Sequence, residues 1–292
     1  MPNVTLAVVV SSSSAMLLTR GVWILSTYAR VLPTFVVVDE SHSARKMLSG
    51  RTCTAVGTLT QCLWEETGSV VLVPSCGGLE KHGCCRVFSF LHTAPPPQDW
   101  VAFVDDDVYV PDCLPKYLPI ITTPLFAPSK HVGAKGGWRW SLCGEKGRPD
   151  TEIALPAGYG FANRALVSVL SRRARSMTKQ CAATPAYNID VALSFASWWQ
   201  EAHLSAAFDW TDPRVEWAGG QRHLWRDASW IYHKVRRKSD FEHLHIKRSR
   251  MCGAAHHEKV RHLFAEQHPQ TGYARTRHAL TPSLRDQPFD CQ

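Results

Sequence analysis

The sequence predicts an α/β fold with a largely parallel central sheet and helices on both faces, and three observations carry that prediction. Short β-branched runs alternate with helical stretches from Thr5 to Val104. Each run is almost wholly apolar, as strands buried on both faces are, rather than alternating between an apolar and a wet side. The run Trp100 to Val104 ends in Asp105-Asp106-Asp107, which delivers acidic groups to a strand's carboxyl end, where open parallel sheets bind their ligands.

Taken in order, Thr5 to Val10 reads as the first buried strand. Ser14 offers an N-cap to a helix running to about Tyr28 and carrying Leu17, Leu18, Trp23 and Leu25. Phe35 to Val38 is the second strand and ends at Asp39. A helix is expected around Leu59 to Glu66, a third strand at Val70 to Val73, and a helix around Cys85 to His92. After Pro95-Pro96-Pro97 comes the strand into the aspartates. This βαβαβαβ order implies crossover connections and parallel neighbours. Beyond Val110 the chain is rich in Pro and Gly, with a strand-turn Leu155 to Phe161 and a helical stretch from about Asp190 to Glu201. Residues 1–250 are expected to form one domain, and 251–292 a polar, His-rich extension that is partly disordered.

A chain of 292 residues with 45% hydrophobic content can bury a sizeable core. Its net charge of +8 suits an acidic ligand. The basic stretches Arg172 to Arg175 and Lys234 to Lys238 lack the interleaved aromatics of a base-stacking platform, so no nucleic-acid partner is expected. Ten cysteines without a CxxC pair argue against a zinc ribbon or a thioredoxin-type site and for disulfides formed in a secretory lumen. His243, His245, His256 and His257 fall in a polar, basic region and read as surface residues. Neither a basic leader nor a long apolar segment precedes the first strand, so membrane association is expected only through an anchor not present in this chain.

The triple aspartate carries the chemistry. Strand alternation would send Asp105 and Asp107 to one side and Asp106 to the other. Two carboxylates brought together repel, and a divalent cation relieves that; hard oxygen ligands suit Mn²⁺ or Mg²⁺, which in turn bridge to phosphates. A plain solvated acidic turn is the simpler alternative. A haloacid-dehalogenase-type phosphatase is another, with Asp105 as nucleophile and Asp107 as acid. Such domains usually open with this strand, whereas several βα units precede it here.

With these residues in view, the chain resembles the Fringe-like β-1,3-glycosyltransferases from about Thr5 to Arg248. The matching features are Trp23 in the first helix, Asp39 ending the second strand, and Asp105-Asp106-Asp107-Val108-Tyr109-Val110. They continue with Ala157-Gly158-Tyr159-Gly160-Phe161 followed by a helix from Asn163 to Leu170, Asp190 opening a helix, and the late pair Tyr232-His233. The resemblance implies a GT-A, Rossmann-like catalytic domain working in the Golgi or ER lumen. It implies an inverting, metal-dependent hexosyltransferase that takes a UDP-sugar as donor and a glycan or glycoprotein hydroxyl as acceptor. Asp107 and His233 would then hold Mn²⁺ or Mg²⁺. Asp39 and Asp105 would meet the donor nucleoside, with Asp106 a direct or water-mediated ligand. Gly158 and Gly160 would let the backbone approach the sugar, although a bulge or tight turn explains them equally. Asp190 would be the general base that takes the acceptor proton; a helix-dipole aspartate is its rival. Tyr109, Trp138, Trp140 and Trp217 either stack on sugars or pack in the core. A catalytically inactive nucleotide- or glycan-binding homologue is the alternative function.

The chain also departs from the family. Two family cysteines that pair correspond to Ala102 and Ala162, so that bridge is expected to be absent as a whole. A second family pair corresponds to Cys76 and Cys85, with Cys84 as the adjacent competitor, and a bridge closing so short a loop is worth roughly 2–3 kcal/mol. The family's acidic pair at the catalytic helix is reduced to Asp190, preceded by Ile189.

Overall fold

The computed structural model of the chain describes residues 4–74, 83–118, 120, 122, 124–128, 159–183, 203–204, 232 and 235–251. Nine strands form one sheet in the order β3-β4-β5-β2-β1-β6-β8-β7-β9. They are β1 (Leu6–Ser11), β2 (Thr34–Asp39), β3 (Cys53–Val56), β4 (Leu59–Leu63), β5 (Gly68–Val73), β6 (Trp100–Asp105), β7 (Leu125–Pro128), β8 (Tyr159–Asn163) and β9 (His203–Leu204). The four central strands β5-β2-β1-β6 are mutually parallel. A hairpin of β3 and β4 extends one edge antiparallel, and β8 and β7 extend the other antiparallel, with β9 parallel to β7. The expected Rossmann-like α/β fold is therefore present, with the parallel strands at its centre.

Alternation along the central strands builds two cores. Leu6, Val8 and Val10 of β1 join one cluster, together with Trp100, Ala102 and Val104 of β6. Ala7 and Val9 join the other, with Val101 and Phe103. The first face is covered by a helical segment made of α1 (Ser14–Met16), a π turn (Leu17–Gly21) and α2 (Val22–Leu25), and by α6 (Lys238–Met251), whose Phe241 and Leu244 are buried. The second face is covered by α4 (Gly83–Thr93) and α5 (Arg164–Ala183), which pack on each other. Asn163 caps α5 by accepting the N–H of Leu166 at 3.1 Å. A short α3 (His42–Met47) follows β2, capped by Ser41.

Several expectations are corrected. Leu59 to Glu66 is not a helix: β4 occupies Leu59–Leu63 and pairs with β3 across the Gly57-Thr58 turn. Gly57 has φ 57 and a Cβ there would lie 2.6 Å from Thr93 Cγ2, so the turn requires glycine both for its backbone and for its space. The Cys53–Cys62 disulfide staples the two strands at directly opposed positions. The first helix is capped by Ser13 rather than Ser14, through its hydroxyl accepting the Met16 N–H at 3.2 Å, and it is broken by the π turn.

The cysteine assignments also change. Cys84 is bonded to Cys181, which ties α4 to the end of α5 and removes Cys84 as a competitor for Cys76. Cys85 is also disulfide-bonded; Cys76 lies outside the described residues. Ala102 stands opposite Phe161 and Ala162 opposite Val101, and the two alanines belong to different cores. Cysteines at these two positions would face opposite sides of the sheet, so their absence is not the loss of one bridge across this register. No helix among the described residues is long and apolar enough to cross a membrane.

Candidate functional site

In a parallel order β5-β2-β1-β6 the connections diverge between β1 and β6, and the crevice outside their carboxyl ends is where such sheets place a ligand. The register pairs Ser11, the last residue of β1, with Asp105, the last of β6. Asp39, the last residue of β2, completes the rim. The two sequence-predicted acidic positions on these strands, Asp39 and Asp105, are thus gathered at one end of one sheet.

The acid turn is held by named contacts. β6 stops at Asp105, and a turn closes through the Val108 N–H donating to the Asp105 carbonyl at 3.3 Å. Strand alternation therefore does not extend to Asp107, and the turn itself sets where the carboxylates go. Asp106 accepts from the Ser12 hydroxyl at 2.9 Å and from Arg20 Nη1 at 2.8 Å. Its carboxylate thus spans the crevice and ties the turn to the loop after β1 and to the π turn. Placing a functional contact on a π segment is a recurrent use of that geometry. On the other side, the Asp107 carbonyl accepts the Val235 N–H at 2.8 Å, and Arg236 Nε lies 3.9 Å from Asp107 Oδ2.

Asp39 is buried, and Arg86 Nη1 donates to its Oδ2 at 2.6 Å. The same guanidinium reaches the Ser11 hydroxyl at 3.4 Å. Arg86 projects from the apolar face of α4, between Cys85 and Val87, where an unpaired cation would be costly. It thereby links the carboxyl ends of β1 and β2. Sequence reasoning missed Arg86, Arg20 and Ser12. For Arg86 a signal existed, since a lone charge inside the buried run Gly83 to Phe90 demands a buried partner.

Behind the turn lies an aromatic cluster. Tyr109 and Tyr232 form an isolated antiparallel bridge, their backbones exchanging hydrogen bonds of 2.8 and 3.1 Å. Tyr109 is fully buried, edge-on to Tyr28 at 5.5 Å and near Phe241 at 6.2 Å. It is therefore a core residue and not a platform for sugar rings. Its hydroxyl meets His245 Nδ1 at 3.2 Å, so His245 is engaged with the core rather than free on the surface. Trp23, the tryptophan of the first helix, packs on Phe241 at 6.1 Å.

Among the described residues no three His, Cys, Asp or Glu side chains form a cage for a metal. A cation shared with phosphates needs only one or two protein carboxylates, and the acid turn supplies hard oxygen donors of that kind, so its chemistry fits Mn²⁺ or Mg²⁺. Gly160 is buried in regular pairing, opposite Phe103 on one side and Pro128 on the other, so it is not a bulge. Gly158, Asp190, His233, Trp138, Trp140 and Trp217 lie outside the described residues. Tyr232 and Val235, on either side of His233 in the sequence, both bond to the backbone of Asp107 to Tyr109.

No family model matches the chain, and no curated protein matches it. Among solved structures, the galactosyltransferase LgtC in complex with donor and acceptor sugar analogs superposes with a TM-score of 0.46 at 11% identity, over 93% of this chain and 99% of that one.

Proposed function

We propose that this protein is an inverting glycosyltransferase of the Fringe-like kind, moving a hexose from a UDP-sugar to a glycan or glycoprotein hydroxyl, with a β-1,3 linkage, in the Golgi or ER lumen. The observation that carries the reading is the acid turn Asp105 to Asp107 at the crevice between β1 and β6. Its order with Trp23, Asp39, Gly160 and Tyr232 along the chain follows the family pattern.

In this reading Asp107 and His233 would hold a divalent cation, which when bound would supply positive charge beside the diphosphate leaving group. Asp105 and Asp39 face the donor nucleoside, and Arg86 fixes the Asp39 carboxylate so that its orientation does not have to be acquired on binding. Asp106, bonded to Ser12 and Arg20, keeps the turn registered against β1. Gly158 would bring the backbone close to the transferred sugar, whereas Gly160, paired on both sides within the sheet, serves the packing of β8. Asp190 takes the proton of the acceptor hydroxyl as it attacks the anomeric carbon.

Differential thermal unfolding with UDP tests the core of the reading. UDP with Mn²⁺ should raise the midpoint, and EDTA or Asp107→Ala should remove most of that rise. An equal UDP shift in EDTA would refute the metal bridge.

A further inference from the structure

Arg236 stands beside the acid turn through two links of unequal strength. The backbone link is firm: the Val235 N–H donates to the Asp107 carbonyl at 2.8 Å, and Tyr232 exchanges backbone bonds with Tyr109. The chain leading into α6 is thereby fixed to the turn without help from side chains. The side-chain link is loose: Arg236 Nε is 3.9 Å from Asp107 Oδ2, and the Arg236 side chain is 57% exposed against 13% for Asp107. An ion pair so long and so exposed contributes little to folding.

Two other guanidiniums adjoin this rim. Arg86 is buried against Asp39 at 2.6 Å, and Arg20 donates to Asp106 at 2.8 Å with a side chain 23% exposed. Among the guanidiniums that meet Asp39, Asp106 and Asp107 in the described residues, Arg236 is the most exposed and the least closely bonded. It can turn away from Asp107 at little cost. A guanidinium keeps its charge at any physiological pH and offers a planar fork that matches two phosphate oxygens.

We infer that Arg236 is a diphosphate-binding residue, pairing with Asp107 in the structure and taking the phosphate oxygens of a bound nucleoside diphosphate. The inference rests on the reading of the acid turn as the donor site and adds to it a residue that the sequence pattern did not single out. The phosphate oxygens would then be neutralised from two sides: by the cation at Asp107 and by a fixed positive charge entering from the start of α6. The neighbouring Arg237 and Lys238 are also exposed and add positive potential to the same approach.

Isothermal titration calorimetry on the whole chain in Mn²⁺ buffer, with UDP and with uridine, tests it in wild type, Arg236→Ala and Arg236→Lys. A lost charged hydrogen bond predicts that Arg236→Ala binds UDP about 10-fold or more weakly, with uridine affinity and thermal midpoint unchanged. Arg236→Lys should recover part of the UDP affinity, because it restores the charge without the fork. Equal UDP affinity in wild type and Arg236→Ala would overturn this inference while leaving the donor site standing. Equal loss of UDP and uridine would also overturn it, since the defect would then not lie at the phosphates. Failure of wild type to bind UDP at all would instead overturn the donor-site reading, and this inference with it.

Discussion

Replacing Arg86 by Met should destabilise the protein far more than its volume suggests. Arg86 and Asp39 are 6% and 10% exposed at their side chains and 2.6 Å apart. Methionine keeps an unbranched apolar stem at this buried position of α4, so packing is nearly conserved. What is lost is the countercharge of a buried carboxylate, and breaking a buried pair from one side costs about 3–5 kcal/mol. With a urea slope of about 2 kcal/mol per M, the midpoint should fall by roughly 1.5–2.5 M. The assay is urea unfolding followed by far-UV circular dichroism, with the disulfides intact. Arg86→Met combined with Asp39→Asn should recover more than half of the loss, because no uncompensated charge then remains. A single variant within about 0.3 M of wild type, or a double variant worse than either single, would refute the argument that this pair is an electrostatic tie between β1, β2 and α4.

Three further outcomes are expected. Tyr28 is fully buried and its hydroxyl has no hydrogen-bond partner among the described residues, so Tyr28→Phe should raise stability by about 1 kcal/mol. Burial, with the charges of Tyr109 and Asp106 adding to it, pushes that hydroxyl well above its ordinary value of 10.0. Wild type should therefore lose stability as pH rises past about 10, where the unfolded tyrosine ionises and the folded one does not; Tyr28→Phe should lose less, as alkaline thermal melts would reveal. The Cys84–Cys181 bond closes a separation of 97 residues, so Cys84→Ala with Cys181→Ala should cost about 4–5 kcal/mol in chemical unfolding. Unreduced peptide maps should recover these two cysteines together, and a Cys76–Cys84 peptide would contradict the assignment. Asp190→Asn should keep UDP affinity while transfer falls about 10²-fold or more; loss of UDP binding would assign Asp190 a structural role.

The parallel core was legible because its strands are buried on both faces and therefore read as unbroken apolar runs: β1, β2, β5 and β6 fall within a residue or two of their expected limits. The hairpin was not. Leu59, Cys62 and Leu63 recur at a spacing a helix also satisfies, and the decisive facts are a left-handed Gly57 in the turn and a disulfide across to Cys53. Such pairings are specified by tertiary neighbours more than by local preference. At the site, the acidic residues announced themselves by type and place. Their partners did not, because Ser12, Arg20 and Arg86 reach Asp106 and Asp39 from far along the chain and carry no signature apart from a charge in an apolar run. For Tyr109 the sequence left a ligand role and core packing both open, and burial decides for the core.

The order of strands in the sheet also sets the timing of synthesis. β5, β2, β1 and β6 are complete once Asp105 has been made, yet β8, which covers the outer edge of β6, begins only at Tyr159. At about 5–20 residues per second the ribosome needs several seconds to supply it. During that interval a nascent chain presents Trp100-Val101-Ala102-Phe103-Val104 as an unpaired apolar edge, the kind of surface that recruits stray strands. The Cys84–Cys181 bond can close only after α5 has followed β8 out, so it gives the sheet no support during that interval. Its yield in a cell-free system should consequently rise when elongation between Asp105 and Tyr159 is made faster.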